Sequence, residues 1–458
     1  MKRSFVRSTF TLAVLLIVTA AHAEQVWEYR PGYKCRMGGD IRLRLEHYDR
    51  DALNPENQTT GNPRQYFRMR TRLYGCLDLW EGAVLYGRLV NHWRHYSSLE
   101  GRSNGPYHYD FPDEVIFDQL YVDFLNIADS GWDLRLGRQN LLLGTGFLVL
   151  EGTPLDASRT LYFDGAVAQR TSETDDVKVF AFYNNVMDEH LPVINDRHRA
   201  LRTGDQLVAG ASWTHRFDER FSSQLYGFHI DNDDDVAGNT GLAPGMPGNT
   251  NDNFELDTLS LRVFGAFRNG TTYSAELAGQ RGDLNDEADF TGTAADVRLS
   301  VPLPWYEETN PKLSFRYTYM SGDDRSSLDE MEGFYPVLAG YPMFREEITI
   351  FHFRDNSGVP AFYRNLHRFE TRLGLKLAEK VNASLAWACL RAPEQNNRTF
   401  FGTGGDGDRY GQTLYTEVNY TPAKVLQFRA QIAGFFAGDY YQDGQNGEWV
   451  RLEAVYRF

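Results

Sequence analysis

The sequence predicts an all-β fold: a transmembrane antiparallel β-barrel of about 18 strands, with short periplasmic turns and long extracellular loops. Three observations carry that expectation. Apolar and polar residues alternate with period two through most of the chain beyond residue 23. The alternating segments run to about 10 residues or more, the length a tilted strand needs to cross a bilayer, whereas sandwich strands average about 5–6. Tight links also alternate with long ones, as they do when one end of a barrel faces the periplasm.

Composition narrows the class first. The chain has 458 residues, 47 basic and 62 acidic, for a net charge of −15, and a mean hydropathy of −0.49. An acidic balance argues against a nucleic-acid partner, which needs a basic footprint. Low hydropathy argues against membrane helices. Lys2, Arg3 and Arg7 precede an apolar run from Leu12 to Ala21, and Ala21-His22-Ala23 is an A-x-A cleavage signal. Residues 1–23 are therefore expected to be a signal peptide removed near Ala23, leaving residues 24–458 as one barrel at −18 in the bacterial outer membrane. Cys35, Cys76 and Cys389 are too few and too odd in number for a disulfide framework. A Cys35–Cys76 bridge is compatible with an oxidising compartment. No His/Cys spacing suggests a metal or cofactor.

The strands are expected at 38–48, 65–79, 82–95, 115–125, 131–139, 160–171, 175–186, 206–217, 220–231, 254–268, 271–282, 293–302, 311–321, 366–378, 381–391, 411–421, 424–437 and 448–458. Near the start, Ile41, Leu43 and Leu45 oppose Arg42, Arg44 and Glu46, and Phe67, Met69 and Leu73 oppose Arg68, Arg70 and Arg72. Farther on, Leu313, Phe315 and Tyr317 oppose Arg316, and Phe369, Leu373 and Leu375 oppose Arg368, Glu370 and Arg372. At the end, Val450, Leu452 and Ala454 oppose Arg451 and Glu453. Trp80, Trp93, Tyr420 and Trp449 near strand ends fit interfacial aromatic girdles. Acidic runs (Asp231 to Asp235, Asp283 to Asp289, Asp323 to Glu332) read as solvated outer loops, with calcium bridging as a sharper alternative, although none has EF-hand spacing.

If greasy faces meet lipid, parity assigns the inward set: Arg42, Arg44, Arg68, Arg70, Arg72, Arg88, Arg135, Arg262, Arg298, Arg316, Arg368, Arg372, Lys376, Arg429, Arg451 and Arg457. Inward acids are fewer: Glu46, Asp78, Asp133, Glu276, Asp296, Glu370, Glu417 and Glu453. Cross-strand pairing accounts for about half of these arginines; the remaining excess predicts a basic lumen inside an acidic protein. Arginine matches carboxylates bidentately, and basic rings select anions. Lumenal Tyr74, Tyr121, Tyr226 and Tyr415 are suited to sugar stacking.

One region carries a more specific signal. Trp132-Asp133-Leu134-Arg135-Leu136-Gly137-Arg138-Gln139 leads to Gly144-Thr145-Gly146, then to Ser158-Arg159-Thr160 and Phe163-Asp164-Gly165-Ala166. This pattern resembles the alginate export family of outer-membrane proteins, with its L-R-x-G-R-Q strand followed by an R-x-F-D-G-A-like strand. The resemblance implies a monomeric barrel, an arginine-lined channel for an anionic polysaccharide or oligosaccharide, outer-membrane lipid as the surroundings, and Arg138, Arg159 and Asp164 at or near a constriction. In the bland alternative, Gly137, Gly165 and Asp164 serve turns or strand packing.

Competing readings are a general or saccharide-selective porin for uptake, and a receptor or adhesin using the long loops. A barrel enzyme is not expected, because the histidines show no catalytic spacing. A plug-type transporter is not expected either, because no plug-sized domain precedes the first strand.

Overall fold

The computed structural model describes residues 24–49, 64–97, 109–110, 114–150, 162–185, 204–233, 253–284, 288–304, 308–323, 330–335, 338–339, 344, 364–395, 405–441 and 444–458. Eighteen long strands make a closed antiparallel barrel. They are β1 Tyr33–Tyr48, β2 Arg64–Trp80, β3 Ala83–Tyr96, β4 Val115–Phe124, β5 Trp132–Gln139, β6 Phe163–Thr171, β7 Asp175–Asn184, β8 Asp205–Arg216 and β9 Ser222–Asp233. The second half comprises β10 Phe254–Ala266, β11 Thr272–Leu284, β12 Ala288–Pro302, β13 Lys312–Met320, β14 Leu366–Ala378, β15 Val381–Arg391, β16 Arg409–Ala423, β17 Leu426–Ala437 and β18 Gly447–Arg457.

Each strand pairs with its sequence neighbours, and β1 closes on β18 from Asp40↔Arg457 to Tyr48↔Trp449. Closure is forced by the solvent. Hydrocarbon offers no hydrogen bonds, so an open edge would leave backbone groups unpaired. Short strands at Gln25–Arg30, Tyr109–Asp110 and Glu330–Met331 extend the sheet at its ends.

The alternation resolves as expected across the membrane. Leu45, Leu73, Leu259, Leu277, Ile432 and Leu452 lie exposed on the outside, while Arg44, Glu46, Arg68 and Arg451 are buried inside. Tight connections at 81–82, 379–380 and 424–425 lie at one end, which the outer-membrane arrangement assigns to the periplasm.

Three expectations are corrected. The run from Asp283 to Asp289 is no long loop: β11 extends to Leu284, β12 starts at Ala288, and Asp283 stands opposite Asp289. The alternation continues there with inverted polarity, Phe290 inward and Asp289 outward, so a rule that puts grease outside ends the strand too early. Trp449 belongs to no outer girdle. It is buried inside beside Tyr48, whose ring lies 6.3 Å away. Cys35 and Cys76 are not bridged: Cys35 pairs with Leu77 and Cys76 with Arg36, so a one-residue offset puts the thiols on opposite faces of the wall.

The interior is not an open tube. Residues 141–150, from the β5–β6 connection, and residues 331–335 and 338–339, from the β13–β14 connection, fold inward against β6–β13. Leu143, Phe147, Leu148, Val149, Phe334 and Leu338 are at most 1% exposed, packed on Phe182, Val208, Ile230 and Leu256. The two segments meet through a parallel bridge, Leu338↔Val149 and Ala339↔Leu150, and through the stacked rings of Phe147 and Phe334. Gln280 of β11 locks one of them: its Nε2 donates to the Tyr335 carbonyl at 2.7 Å, and its Oε1 accepts from the Tyr335 N–H at 2.8 Å. Two connections therefore supply the interior filling that the sequence had associated only with an N-terminal plug.

Candidate functional site

The strand register determines which inward side chains can meet. Arg44, Arg68 and Arg94 face one another across β1, β2 and β3; two residues nearer the periplasm, Arg42, Arg70 and His92 do the same. Like charges directly opposite repel, so the arrangement needs shared acids. Glu453 takes Arg44 Nε at 2.5 Å, Arg429 Nη1 at 3.7 Å and Arg42 Nε at 4.0 Å. Glu46 takes Arg451 Nη2 at 3.2 Å and both Arg44 and Arg68 at 3.9 Å. Asp40 holds Arg70 at 2.9 Å and Arg72 at 2.6 Å. Asp296 holds Arg298 at 2.5 Å and Arg316 at 2.8 Å, and Glu370 holds Arg368 at 2.5 Å and Arg372 at 2.9 Å.

Five carboxylates thus anchor eleven arginines. This arc runs from β12 through the closure to β2, and among its described residues these arginines outnumber the carboxylates even when the buried Glu417 of β16 is counted. Its outer side is roofed by aromatic rings. Tyr48 and Tyr66 donate to Glu46 Oε2 at 3.0 and 3.2 Å, and Tyr66 packs on Tyr96 with centroids 5.3 Å apart. Phe344, from the β13–β14 connection, lies under both Arg316 and Arg368, at 5.0 and 4.3 Å from their guanidinium carbons.

The 132–166 motif is a cross-strand unit of β5 and β6. Gly137 pairs with Gly165, and Arg138 with Asp164. Arg138 Nε and Nη2 each donate to an Asp164 oxygen at 2.8 Å, a bidentate fork, while Nη1 donates to the Phe117 carbonyl at 3.2 Å. Its guanidinium also covers the Tyr162 ring at 4.3 Å. Both glycines are sterically required. Gly137 has φ +125°, and a Cβ there would stand 2.3 Å from the Leu120 carbonyl oxygen; one on Gly165 would stand 2.1 Å from that of Ala181.

Of the remaining arginines read from the sequence, Arg135 forks onto Asp123 at 2.7 and 2.9 Å. Arg262 stands on β10, donates to Ser274 at 2.9 Å and lies over the Phe264 ring, apart from the dense arc of β1, β2 and β18. Arg159 lies outside the described residues.

Asp40, Asp118 and Asp123 were missing from the expected inward acids. Asp40 shares the face of Arg42 and was legible by parity. Asp118 was not: the register jumps between Arg88↔Gln119 and Leu89↔Phe117, and this bulge turns Asp118 onto Arg88 at 2.8 Å. Among the described residues, no three His, Cys, Asp or Glu side chains converge as metal ligands; Asp234 and Asp235 of the acidic runs lie outside them.

A closed barrel with a charged inner wall and a lipid-facing outer wall has the architecture of an outer-membrane transport channel. Residues 33–452 match the alginate export family model, and the chain belongs to that family. The chain matches no curated protein. Among solved structures it is similar to Pseudomonas aeruginosa OccK9 (OpdG), at 15% identity over 92% of this chain and 98% of that one, with a TM-score of 0.57. It is similar to Acinetobacter baumannii OccAB1 at 12% identity, over 92% and 96%, with a TM-score of 0.55. It is also similar to Pseudomonas aeruginosa OccK2 (OpdF) solved in complex with glucuronate, at 13% identity, over 92% and 96%, with a TM-score of 0.53.

Proposed function

We propose that the channel passes anionic saccharides, an acidic polysaccharide or oligosaccharide of the polyuronate kind, by passive electrostatic selection along its arginine arc. One observation carries this reading: five carboxylates hold eleven arginines, so the wall keeps a surplus of positive charge after its internal pairing. In a low-dielectric wall that surplus focuses the field on the water path. The buried guanidinium groups supply the field, and the more exposed ones, Arg298 and Arg429 at 33% and 28%, offer weak sites that allow a polyanion to enter and to leave. Membership of the alginate export family supports the polymer.

A second reading is uptake of short uronates. The inward-folded segments at 141–150, 331–335 and 338–339 favour it, since they take up lumen space a thick chain would need. The glucuronate bound by the structurally similar OccK2 belongs to the same chemical class.

The test is conductance of the purified protein in planar bilayers under a salt gradient, with added polyuronates, monomeric uronate and neutral glycans. Anion-biased reversal potentials, and block by polyuronate in preference to neutral glycan, are expected. Cation bias would overturn the proposal. Block by monomer alone would transfer it to the uptake reading.

A further inference from the structure

On the outer wall of β9–β12, the register sets side chains in rows whose character changes at one level. Leu225, Leu261, Leu277 and Ala295 face one another across the four strands. The next row toward the long-connection end is Gly227, Leu259, Gly279 and Thr293; the one after it is His229, Asp257, Arg281 and Thr291. Leu259 and Leu277 are each 61% exposed on this face. At Gly279, by contrast, nothing lies within 4 Å of the place a Cβ would occupy. The wall is therefore recessed between protruding leucines. A cleft of about 880 Å³ opens there, lined also by Tyr319, Ser321, Glu332 and Glu394.

Its occupant follows from its position. The leucine rows belong to the band that meets hydrocarbon, and the row of His229, Asp257 and Arg281 lies where lipid headgroups begin. The filler must therefore be an amphiphile. The rim selects among amphiphiles. Arg281 is exposed and suited to a phosphate, which its planar fork matches. Around it stand carboxylates and hydroxyls. Asp257, beside His229 at 2.9 Å, and Glu332 and Glu394 offer carboxylate acceptors for sugar hydroxyls, and Thr293 adds a hydroxyl, while the Ser321 hydroxyl is taken up by the Glu332 carbonyl at 2.6 Å. Those carboxylates would repel a ligand made only of phosphates. The rim holds one guanidinium among carboxylates, with the exposed Asp231, Glu255, Asp283 and Asp289 one row farther out, and so fits a ligand that is mostly sugar hydroxyl with a single phosphate placed on Arg281.

We infer that this cleft binds one molecule of an outer-leaflet glycolipid: an acyl chain lies over Gly279 between Leu259 and Leu277, a phosphate sits on Arg281, and the sugar rests on Asp257 and the other lining carboxylates. This site is on the lipid face, separate from the arginine arc, and does not depend on what the channel carries.

The test uses the full-length protein in mild detergent, incubated separately with a rough-type lipopolysaccharide and with phosphatidylglycerol, with bound lipid counted by native mass spectrometry. One glycolipid per barrel is expected to be retained. Gly279→Phe, which fills the recess, and Arg281→Gln, which removes the phosphate partner, should each weaken retention about tenfold, the loss expected for one such contact. Leu414→Phe, on the outer face of β16, should leave it unchanged. Equal retention by wild type and both variants would overturn the inference. So would phosphatidylglycerol held as tightly and lost in the same variants. Should Gly279→Phe lose the heat-modifiable shift of a folded barrel, Arg281→Gln decides alone. Reversal potentials should be the same in wild type and both variants, which keeps lipid retention separate from the choice of solute.

Discussion

Arg44 and Arg68 stand directly opposite each other on adjacent strands, and each reaches the same carboxylate, Glu46, at 3.9 Å. Two like charges are tolerated in one cross-strand pair because a shared acid bridges them. The wall therefore contains arginines of two kinds. Arg44, Arg368 and Arg451 have side chains at most 1% exposed and act as clamps, whereas Arg298 and Arg429, at 33% and 28%, reach toward water.

Arg44→Ser should destabilise the barrel by about 3–5 kcal/mol, the cost of breaking a buried pair by removing one partner, because Glu453 loses its 2.5 Å bond. Arg298→Ser and Arg429→Ser should leave stability nearly unchanged and shift the reversal potential toward cations. Unfolding of each variant in detergent and bilayer recordings separate the two groups. The assignment fails if Arg44→Ser melts like wild type while the exposed pair leaves selectivity intact.

Much of this wall was legible in sequence, because period two and a lipid exterior leave each strand only one choice of face. Arg42, Arg44, Arg68 and Arg70 therefore fell on the right side with no structure. Legibility failed where that rule stops applying. A bulge changes the phase at Asp118. Beyond the lipid, the apolar face turns inward, as at Phe254 and Phe290, because there it packs on inserted segments while water lies outside. Those segments could not be read at all. Nothing local in Leu141 to Leu150 or in Met331, Phe334 and Leu338 says that they fold into the barrel; only the apolar inner wall of distant strands does.

The motif glycines test the cross-strand unit. Gly137→Ala places a methyl group 2.3 Å from the Leu120 carbonyl oxygen at a backbone φ of +125°. A residue forced into such a conformation costs about 1–3 kcal/mol, and displacing the strand adds to it. Gly137→Ala should lower barrel stability and separate Arg138 from Asp164. Arg138→Lys should keep the charge but not the fork, so it should not restore wild-type conductance. Wild-type behaviour in both variants would show that the pairing of β5 with β6 tolerates displacement.

The inserted segments make a prediction about conductance. Phe147 is fully buried against Phe334, and truncation of a buried phenylalanine costs about 3–5 kcal/mol of packing. Gln280→Leu removes both bonds that hold Tyr335. Either change should release the segments without breaking a backbone hydrogen bond of the barrel ladder, although Gln280→Leu also removes the Gln280–Thr258 side-chain bond at 3.2 Å. Single-channel conductance should rise and fluctuate, with the β-sheet circular dichroism unchanged. Conductance equal to wild type in both would mean that the segments do not limit the path.

An outward-facing register row near the long-connection end makes the last prediction. Asp231, Glu255, Asp283 and Asp289 are successive cross-strand partners on β9–β12, and Asp289 in turn pairs with Glu330. All five are exposed on the outer face. Directly opposed side chains stand about 4.5–5.5 Å apart, and like charges at that spacing oppose folding by about 0.2–1 kcal/mol per pair. The cost is small because water screens it, and it should fall further as salt shortens the Debye length to about 8 Å near physiological strength. Glu255→Gln removes the charge that Asp231 and Asp283 both face. It should therefore raise stability at low salt by at most about 1–2 kcal/mol for the two pairs, and the gain should shrink as sodium chloride is added. Wild type should gain more from added salt than the variant does. Thermal unfolding of both proteins across a salt series measures this directly, and parallel curves would show that the row carries no net repulsion.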